Sequence, residues 1–361
     1  MPLTGRPQRP PRRPAPGPRP LVLALAVLAA LAAGCDTLRD SGAGLQRFEF
    51  TQPQMGLPFR MVVHAADAAA ARSGAEAAFA RVRELNDRLS DYDTDSELNR
   101  LSRTAGEGRA VPVSEDLWRV LERAQALAAR TGGAFDVTVG PLVSHWRKAR
   151  REQQLPEARR LAAAAAAVGW TNLHLNARDR TATLRVPDMK LDLGGIAKGY
   201  AIDEALRVLR RRGLPRSLVS GGGDLAVGDP PPGRTAWRIE LPPLDASNAP
   251  PVRFVLLRNA ALATSGDLFQ RLEIGGVRYS HIVDPRTGLG LTDHSLVTVI
   301  APDCLTADSL ATAVSVLGPE RGVALIESTP RAALQWVRMP EGRIQAGESR
   351  LFPGFVEAAR P

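Results

Sequence analysis

The chain has 361 residues, 44% of them hydrophobic and 5% aromatic, enough for one large domain or two small ones. Its formal charge of +9 falls to +4 once the five arginines of residues 1–34 (Arg6, Arg9, Arg12, Arg13 and Arg19) are set aside, too mild an excess to support a nucleic-acid partner. Two cysteines exclude a disulfide framework, and five scattered histidines without an H-E-x-x-H, G-x-S-x-G or cysteine cluster argue against zinc and serine-hydrolase chemistry.

The N-terminal arginines precede an apolar run from Leu21 to Ala33 that ends in small residues. That run is shorter than the roughly 20 residues a spanning helix needs, so it reads as a secretory signal. Its end, Leu31-Ala-Ala-Gly34-Cys35, resembles a bacterial lipobox, which implies cleavage before Cys35 and acylation of that residue. The expected organisation is a lipoprotein signal peptide at 1–34, a lipid-anchored polar tether at 35–47 and one catalytic domain at 48–361.

Residues 48–64 alternate as strands around a Met-Gly turn, and 67–90 carry alanine, leucine and arginine at helical spacing without proline. The segment 114–131 predicts a helix capped by Ser114, with Leu117, Val120, Leu121, Ala124 and Leu127 on one face and Gly132-Gly133 at its end. A strand-like run follows in "GGAFDVTVGPL" (132–142). The alanines at 162–167 predict a helix after Pro156, followed by short strands at 171–176 and 181–186, and "GYAIDEALRVLRRRG" (199–213) predicts another helix. Strands are expected at 216–220, 236–241, 252–257, 277–283 and 295–301. Helices follow at 306–317 and 319–327, then a last strand pair. Such an order indicates a layered α/β or α+β fold and not a regular βαβ series.

Four segments place glycines, carboxylates and hydroxyls at element junctions. Besides 132–142, "LDLGGIAKGYAIDEA" (191–205) opens a helix with Asp192 before its glycines and Lys198 inside them. Backbone N–H groups there suit phosphate, although the spacing is neither G-x-G-x-x-G nor a P-loop, and close helix–strand packing is the alternative. In "LVSGGGDLAVGDP" (218–230) three glycines end a strand before Asp224. In "CLTADSLATAVSVLG" (304–318) Thr306 is the expected cap, Asp308 falls in the first turn and Thr312 stands one turn on, on the same face. A carboxylate and a hydroxyl so stacked offer hard oxygen ligands for Mg²⁺, or else the carboxylate serves only the helix dipole. "YSHIVDPRTG" (279–288) carries His281 and Asp284 into a Pro-Gly turn.

In this order the segments "QMGLPFRM", "LSDYDTDSELNRL", "TGGAFDVTVGPLV", "LDLGGIAKGYAIDEAL", "VSGGGDLAVGD", "ALATSGD", "YSHIVDPRTG" and "VTVIAPDCLTADSLATAVSVLG" resemble the ApbE family of flavin transferases (FAD:protein FMN transferases), over residues 48–345. The resemblance implies a tunnelling-fold-related α/β layered domain that transfers FMN from FAD to a Thr or Ser hydroxyl of a target flavoprotein and releases AMP. By motif position it implies FAD contacts from Met55, Tyr92, Ala134, Phe135, Asp136, Asp192, Lys198 and Ile282. It implies Mg²⁺ held by Asp308, Thr312 and a main-chain oxygen at Gly195, with Ala311 adjacent.

In that context His281 becomes a candidate base for the incoming hydroxyl or a positioner of the flavin phosphate, and Asp284 a residue that orients it or braces the turn. Thr264, Ser265 and Gly266 could add neutral donors around the pyrophosphate. The implied partners are respiratory electron-transfer subunits of Rnf-type complexes and sodium-pumping quinone reductases. The implied location is a bacterial membrane, expected to be the inner one, with the domain facing the periplasm. Leu57 and Leu268 depart from the family's usual Thr and Tyr. FAD pyrophosphatase, non-catalytic FAD-binding lipoprotein and flavin-dependent oxidoreductase are the rival readings.

Overall fold

The computed structural model describes residues 44–244, 252–266 and 271–358. The signal peptide, Cys35 and the rest of the tether up to residue 43, and Leu268 lie outside the described residues. Among the described residues no helix is long and apolar enough to cross a membrane.

The chain opens with strands β1 (Gln46–Gln54) and β2 (Leu57–Ala65), paired antiparallel from Gln46↔Ala65 to Gln54↔Leu57. Met55 and Gly56 form their two-residue turn, both at positive φ (51° and 73°), the form whose twist matches the flanking strands. Helix α1 (Ala68–Leu89) follows, its N-terminus capped by Asp67, which accepts from the Ala70 N–H at 2.8 Å. After α2 (Glu97–Ser102) and β3 (Val111–Pro112) comes α3 (Glu115–Thr131), with the Ser114 cap and left-handed Gly132 end that its sequence predicts.

The strand-like reading of 132–142 needs correction. Residues 134–139 make a turn, and Gly140 begins a helix, α4 (Gly140–Glu152). Pro141 sits in its first turn, where a missing N–H does no harm. Then follow α5 (Ala158–Ala165), β4 (Leu173–Asn176) and β5 (Thr181–Leu184), the two strands joining β3 in a small antiparallel sheet.

The second half contains α6 (Ala197–Arg211), β6 (Ser217–Gly221), β7 (Asp224–Val227), the hairpin β8 (Trp237–Leu241) and β9 (Arg253–Leu257), and β10 (Ala260–Gly266). The hairpin β11 (Arg271–Ile274) and β12 (Val277–Ser280), then β13 (Ser295–Ala301), α7 (Cys304–Leu317), α8 (Pro319–Glu327), β14 (Ala333–Arg338) and β15 (Gln345–Glu348) complete it. Asp303 caps α7, not Thr306, by accepting from the Thr306 N–H at 2.8 Å, so Asp308 lies one turn deeper than its sequence suggests.

Eight strands form one antiparallel sheet in the order β1-β2-β6-β7-β10-β13-β14-β15. Helices α1, α6 and α7 cover one face and enclose the main core, which includes Phe79, Val82, Ile202, Leu209, Leu310 and Val314. The β8–β9 hairpin covers the other face through Trp237, Leu241, Val255 and Leu257. Buried on nearly all sides, α7 carries Asp308 inward with its apolar residues. A carboxylate in such a place needs a cation or several donors.

Candidate functional site

Lys198, in the first turn of α6, answers that need. Its Nζ lies 3.1 Å from both oxygens of Asp308, 3.1 Å from Asp224 Oδ2 and 3.2 Å from the Gly194 carbonyl. Asp308 Oδ2 also accepts the Gly199 N–H at 3.0 Å, and Asp224 Oδ1 accepts from Thr264 N–H at 3.2 Å. The approach is close because residue 199 is glycine: a Cβ there would stand 2.3 Å from the Cys304 carbonyl oxygen. Asp224 Oδ2 is buried and, although near Lys198 in distance, does not meet hydrogen-bond geometry.

Two buried carboxylates thus share one ammonium. Burial disfavours the charged form of Lys198, yet Asp224 and Asp308 outweigh it and raise the ammonium's pKa. Burial, with repulsion from Asp308 added, pushes Asp224 up to about 7 in spite of Lys198. Next to this trio stand Gly195 and Thr312. A Cβ on Gly195 would meet Thr312 Oγ1 at 2.9 Å, and Ser265 Oγ lies 3.5 Å from the same hydroxyl.

Among the described residues no three His, Cys, Asp or Glu side chains gather as a metal site. The donors here are instead carboxylate, hydroxyl and main-chain oxygens around two buried carboxylates that share one ammonium. That set fits Mg²⁺, which takes few protein ligands and keeps waters or phosphate in the rest of its shell. Ala311 is buried in the main core beside Thr312.

A second cluster joins the first through Gly194. Asp192 Oδ1 accepts the Gly194 N–H at 2.8 Å, and Asp192 Oδ2 accepts from Arg147 Nη2 at 2.8 Å. Arg147 also pairs with Asp91, and its guanidinium stacks on the Tyr92 ring, 4.3 Å from the centroid. Tyr92 itself is 75% exposed.

Ala134 and Ile282 pack together with Val316, one turn beyond Thr312 on α7. Phe135 belongs to the main core, and Met55 packs against it from the β1–β2 turn. Both oxygens of buried Asp136 are occupied, Oδ1 by Thr138 and Oδ2 by the Trp170 N–H at 2.8 Å, so its carboxylate serves the 134–139 turn. Leu57 lies near Gly222, where a Cβ would meet its Cδ1 at 2.6 Å and Lys198 Cδ at 3.8 Å.

His281 directly follows β12 and is half-buried. The backbone on either side of it is fixed, since Ser280 N–H donates to Leu291 O at 2.7 Å and Leu291 N–H to Ile282 O at 2.9 Å. Asp284 is buried, and its carboxylate accepts from Arg286 N, Nε and Nη2 at 2.8–2.9 Å. Of the two roles expected of Asp284, orienting His281 or bracing its turn, these contacts serve the bracing of the turn that follows His281. Arg286 in turn reaches the Val316 carbonyl of α7 at 3.4 Å.

Sequence reasoning noticed Asp224 after its three glycines and gave it no role, and it missed Asp91 and Arg147. Asp224 had a signal in the strand-ending glycines. Arg147 had none, because its two carboxylates stand 56 and 45 residues away in the chain. A cavity of about 570 Å³ lies elsewhere, between α3, α6 and the start of α7, and none of the candidate residues lines it. Its arginines are already engaged, Arg119 by Glu115, Arg123 by Thr306, Arg207 by Glu204 and Arg210 by Asn259.

The ApbE family model matches residues 55–335. A protein of Vibrio cholerae named FAD:protein FMN transferase is 36% identical over 276 residues, 75% of this chain and 81% of its own. One of Klebsiella pneumoniae with the same name is 35% identical over 299 residues, 80% of this chain and 83% of its own. Among solved structures, the flavin transferase ApbE of Vibrio cholerae superposes with a TM-score of 0.77 at 30% identity, covering 86% of this chain and 99% of that one. The apo flavinyl transferase ApbE of Pseudomonas stutzeri gives 0.76 at 30% identity, covering 88% and 98%.

Proposed function

The chain belongs to the ApbE family, and from that premise we propose that it is a transferase that moves FMN from FAD onto a threonine or serine hydroxyl of a target flavoprotein, releasing AMP. FMN transfer from FAD is the activity its relatives carry in their names. The observation that carries the reading on this chain is the buried trio of Lys198, Asp224 and Asp308. Two carboxylates on one ammonium leave a net negative charge when both are ionised; burial makes Asp224 hold a proton up to about pH 7 instead, and a second cation bound here would displace that proton.

Asp308, Thr312 and the Gly195 carbonyl are the proposed Mg²⁺ ligands, and Mg²⁺ bound there would neutralise the pyrophosphate of FAD as its anhydride bond breaks. In the transfer, the acceptor hydroxyl oxygen bonds to the flavin-side phosphorus while the bond from that phosphorus to the bridging oxygen breaks. AMP leaves with the electron pair. His281 takes the hydroxyl proton, held in place by the turn that Asp284 and Arg286 brace. Lys198, held between Asp224 and Asp308, would add a fixed positive charge on the phosphate side of the site. Met55, Tyr92, Ala134 and Ile282 bound the flavin, with Phe135, Asp136 and Asp192 holding the loops that present them. Cys35 is proposed to carry a lipid that keeps the enzyme at a bacterial membrane, facing the periplasm, which the mass of the mature N-terminal peptide tests.

The full-length chain, incubated with FAD, Mg²⁺ and an acceptor domain bearing a candidate threonine, is expected to add one FMN phosphoester to the acceptor's intact mass. EDTA should abolish the gain, and Asp308→Ala should slow it by on the order of 10²–10³-fold. FMN and AMP accumulating without a mass gain would make the enzyme a pyrophosphatase. FAD left whole with every acceptor would make it a binding protein.

A further inference from the structure

Tyr92 is the most exposed large apolar side chain among the described residues, at 75%. A loose aromatic ring in that position would be unremarkable, but this one is held from several sides. Ser90 Oγ accepts from the Tyr92 and Asp93 N–H groups at 3.2 and 3.1 Å. Buried Asn99 donates to the Asp91 and Asp93 carbonyls at 3.1 and 2.7 Å, fixing the backbone on both sides of Tyr92. Arg147 covers one face of the ring, and its own fork is locked between Asp91 and Asp192. The immobilised ring presents a flat aromatic platform to solvent, and its stack on Arg147 and two further hydrogen bonds link it to the Gly194 loop that contacts Lys198.

We propose that Arg147 is a positioning residue for the flavin: it stiffens the Tyr92 ring as a stacking platform for the isoalloxazine and ties that platform, through Asp192 and Gly194, to the phosphate end of the site. This deepens the flavin-transfer reading and rests on it. The arrangement needs arginine. A planar fork can bridge two carboxylates and still lay its face on a ring, whereas a lysine can be only a point charge. Burial, with repulsion from Asp192 added, pushes Asp91 up to about 6 even with Arg147 in place.

The test separates the flavin end from the nucleotide end. Full-length chain in detergent, with EDTA to prevent turnover, is titrated with FMN and separately with ADP, following flavin absorbance and heat. Arg147→Lys and Tyr92→Leu should each weaken FMN binding by about tenfold, the double variant no more than the worse single one, with ADP affinity unchanged. In the transfer reaction Arg147→Lys should raise KM for FAD by a similar factor and leave kcat within about twofold. Equal losses for FMN and ADP, additive losses in the double variant, or unaltered FMN affinity in Arg147→Lys would overturn the proposal. Tyr92→Leu leaves the Arg147 ion pairs with Asp91 and Asp192 in place, so the comparison survives even if an Arg147 variant folds poorly. A wild-type chain that stacks FMN in this Arg147-dependent way but flavinylates no acceptor would sink the transfer reading and leave this one standing.

Discussion

An alanine at position 199 would place its Cβ 2.3 Å from a backbone oxygen of α7, and one at 195 would place it 2.9 Å from the hydroxyl of Thr312. The two contacts differ in what can yield. At 199 the neighbour is main chain, so α6 and α7 must separate; Gly199→Ala should destabilise the protein by about 1–3 kcal/mol, read as a fall in Tm. At 195 the neighbour is the short side chain of Thr312, whose Oγ1, Cγ2 and Cβ would stand at 2.9, 3.1 and 3.3 Å. Gly195→Ala should therefore cost less Tm than Gly199→Ala while weakening Mg²⁺ binding and transfer, measured by calorimetry and acceptor mass. Equal Tm losses in the two variants would contradict this division. The spacing of Asp308 and Thr312 was readable in advance because helical period alone stacks residues four apart. The Lys198–Asp308 pair was not, since it joins residues 110 apart and nothing in local spacing encodes it.

Helix α7 has two carboxylates at its start. Asp303 caps Thr306, and Asp203 of α6 accepts the Cys304 and Leu305 N–H groups at 2.8 and 2.9 Å. Burial outweighs those two donors and pushes Asp203 from 3.8 up to about 7. The folded state therefore keeps this proton to higher pH than the unfolded chain does. The group's contribution to stability is present below about pH 4 and is lost as pH rises towards 7. Asp203→Asn removes that dependence, so the variant's Tm relative to wild type should be higher at pH 8 than at pH 5. An equal difference at both pH values would mean that Asp203 is ionised throughout. Elements differed in how plainly they could be read. The caps of α3 are written in Ser114 and Gly132, but α4 was hidden by Val137-Thr138-Val139, a β-branched run that the tertiary fold bends into a turn. Strand β10, Ala-Ala-Leu-Ala-Thr-Ser-Gly, has too few bulky residues to announce itself and is a strand because β7 and β13 pair with it on both sides.

At the scale of the molecule, composition and element order indicate a layered fold, and the antiparallel sheet with helices on one face bears that out. Strand order was beyond reach, because non-consecutive neighbours such as β2 with β6 and β7 with β10 are set by the packing of the whole. The site inherits this non-locality. Its charges arrive from Asp91, Arg147, Asp192, Lys198, Asp224 and finally Asp308, which follows most of the chain. Lys198 and Asp224 precede Asp308, the second carboxylate on their shared ammonium, by most of the chain's last third, and long-range contacts of this kind close slowly. A growing chain that has not yet made α7 has no assembled cation site, so competence to react comes as one of the last events of folding.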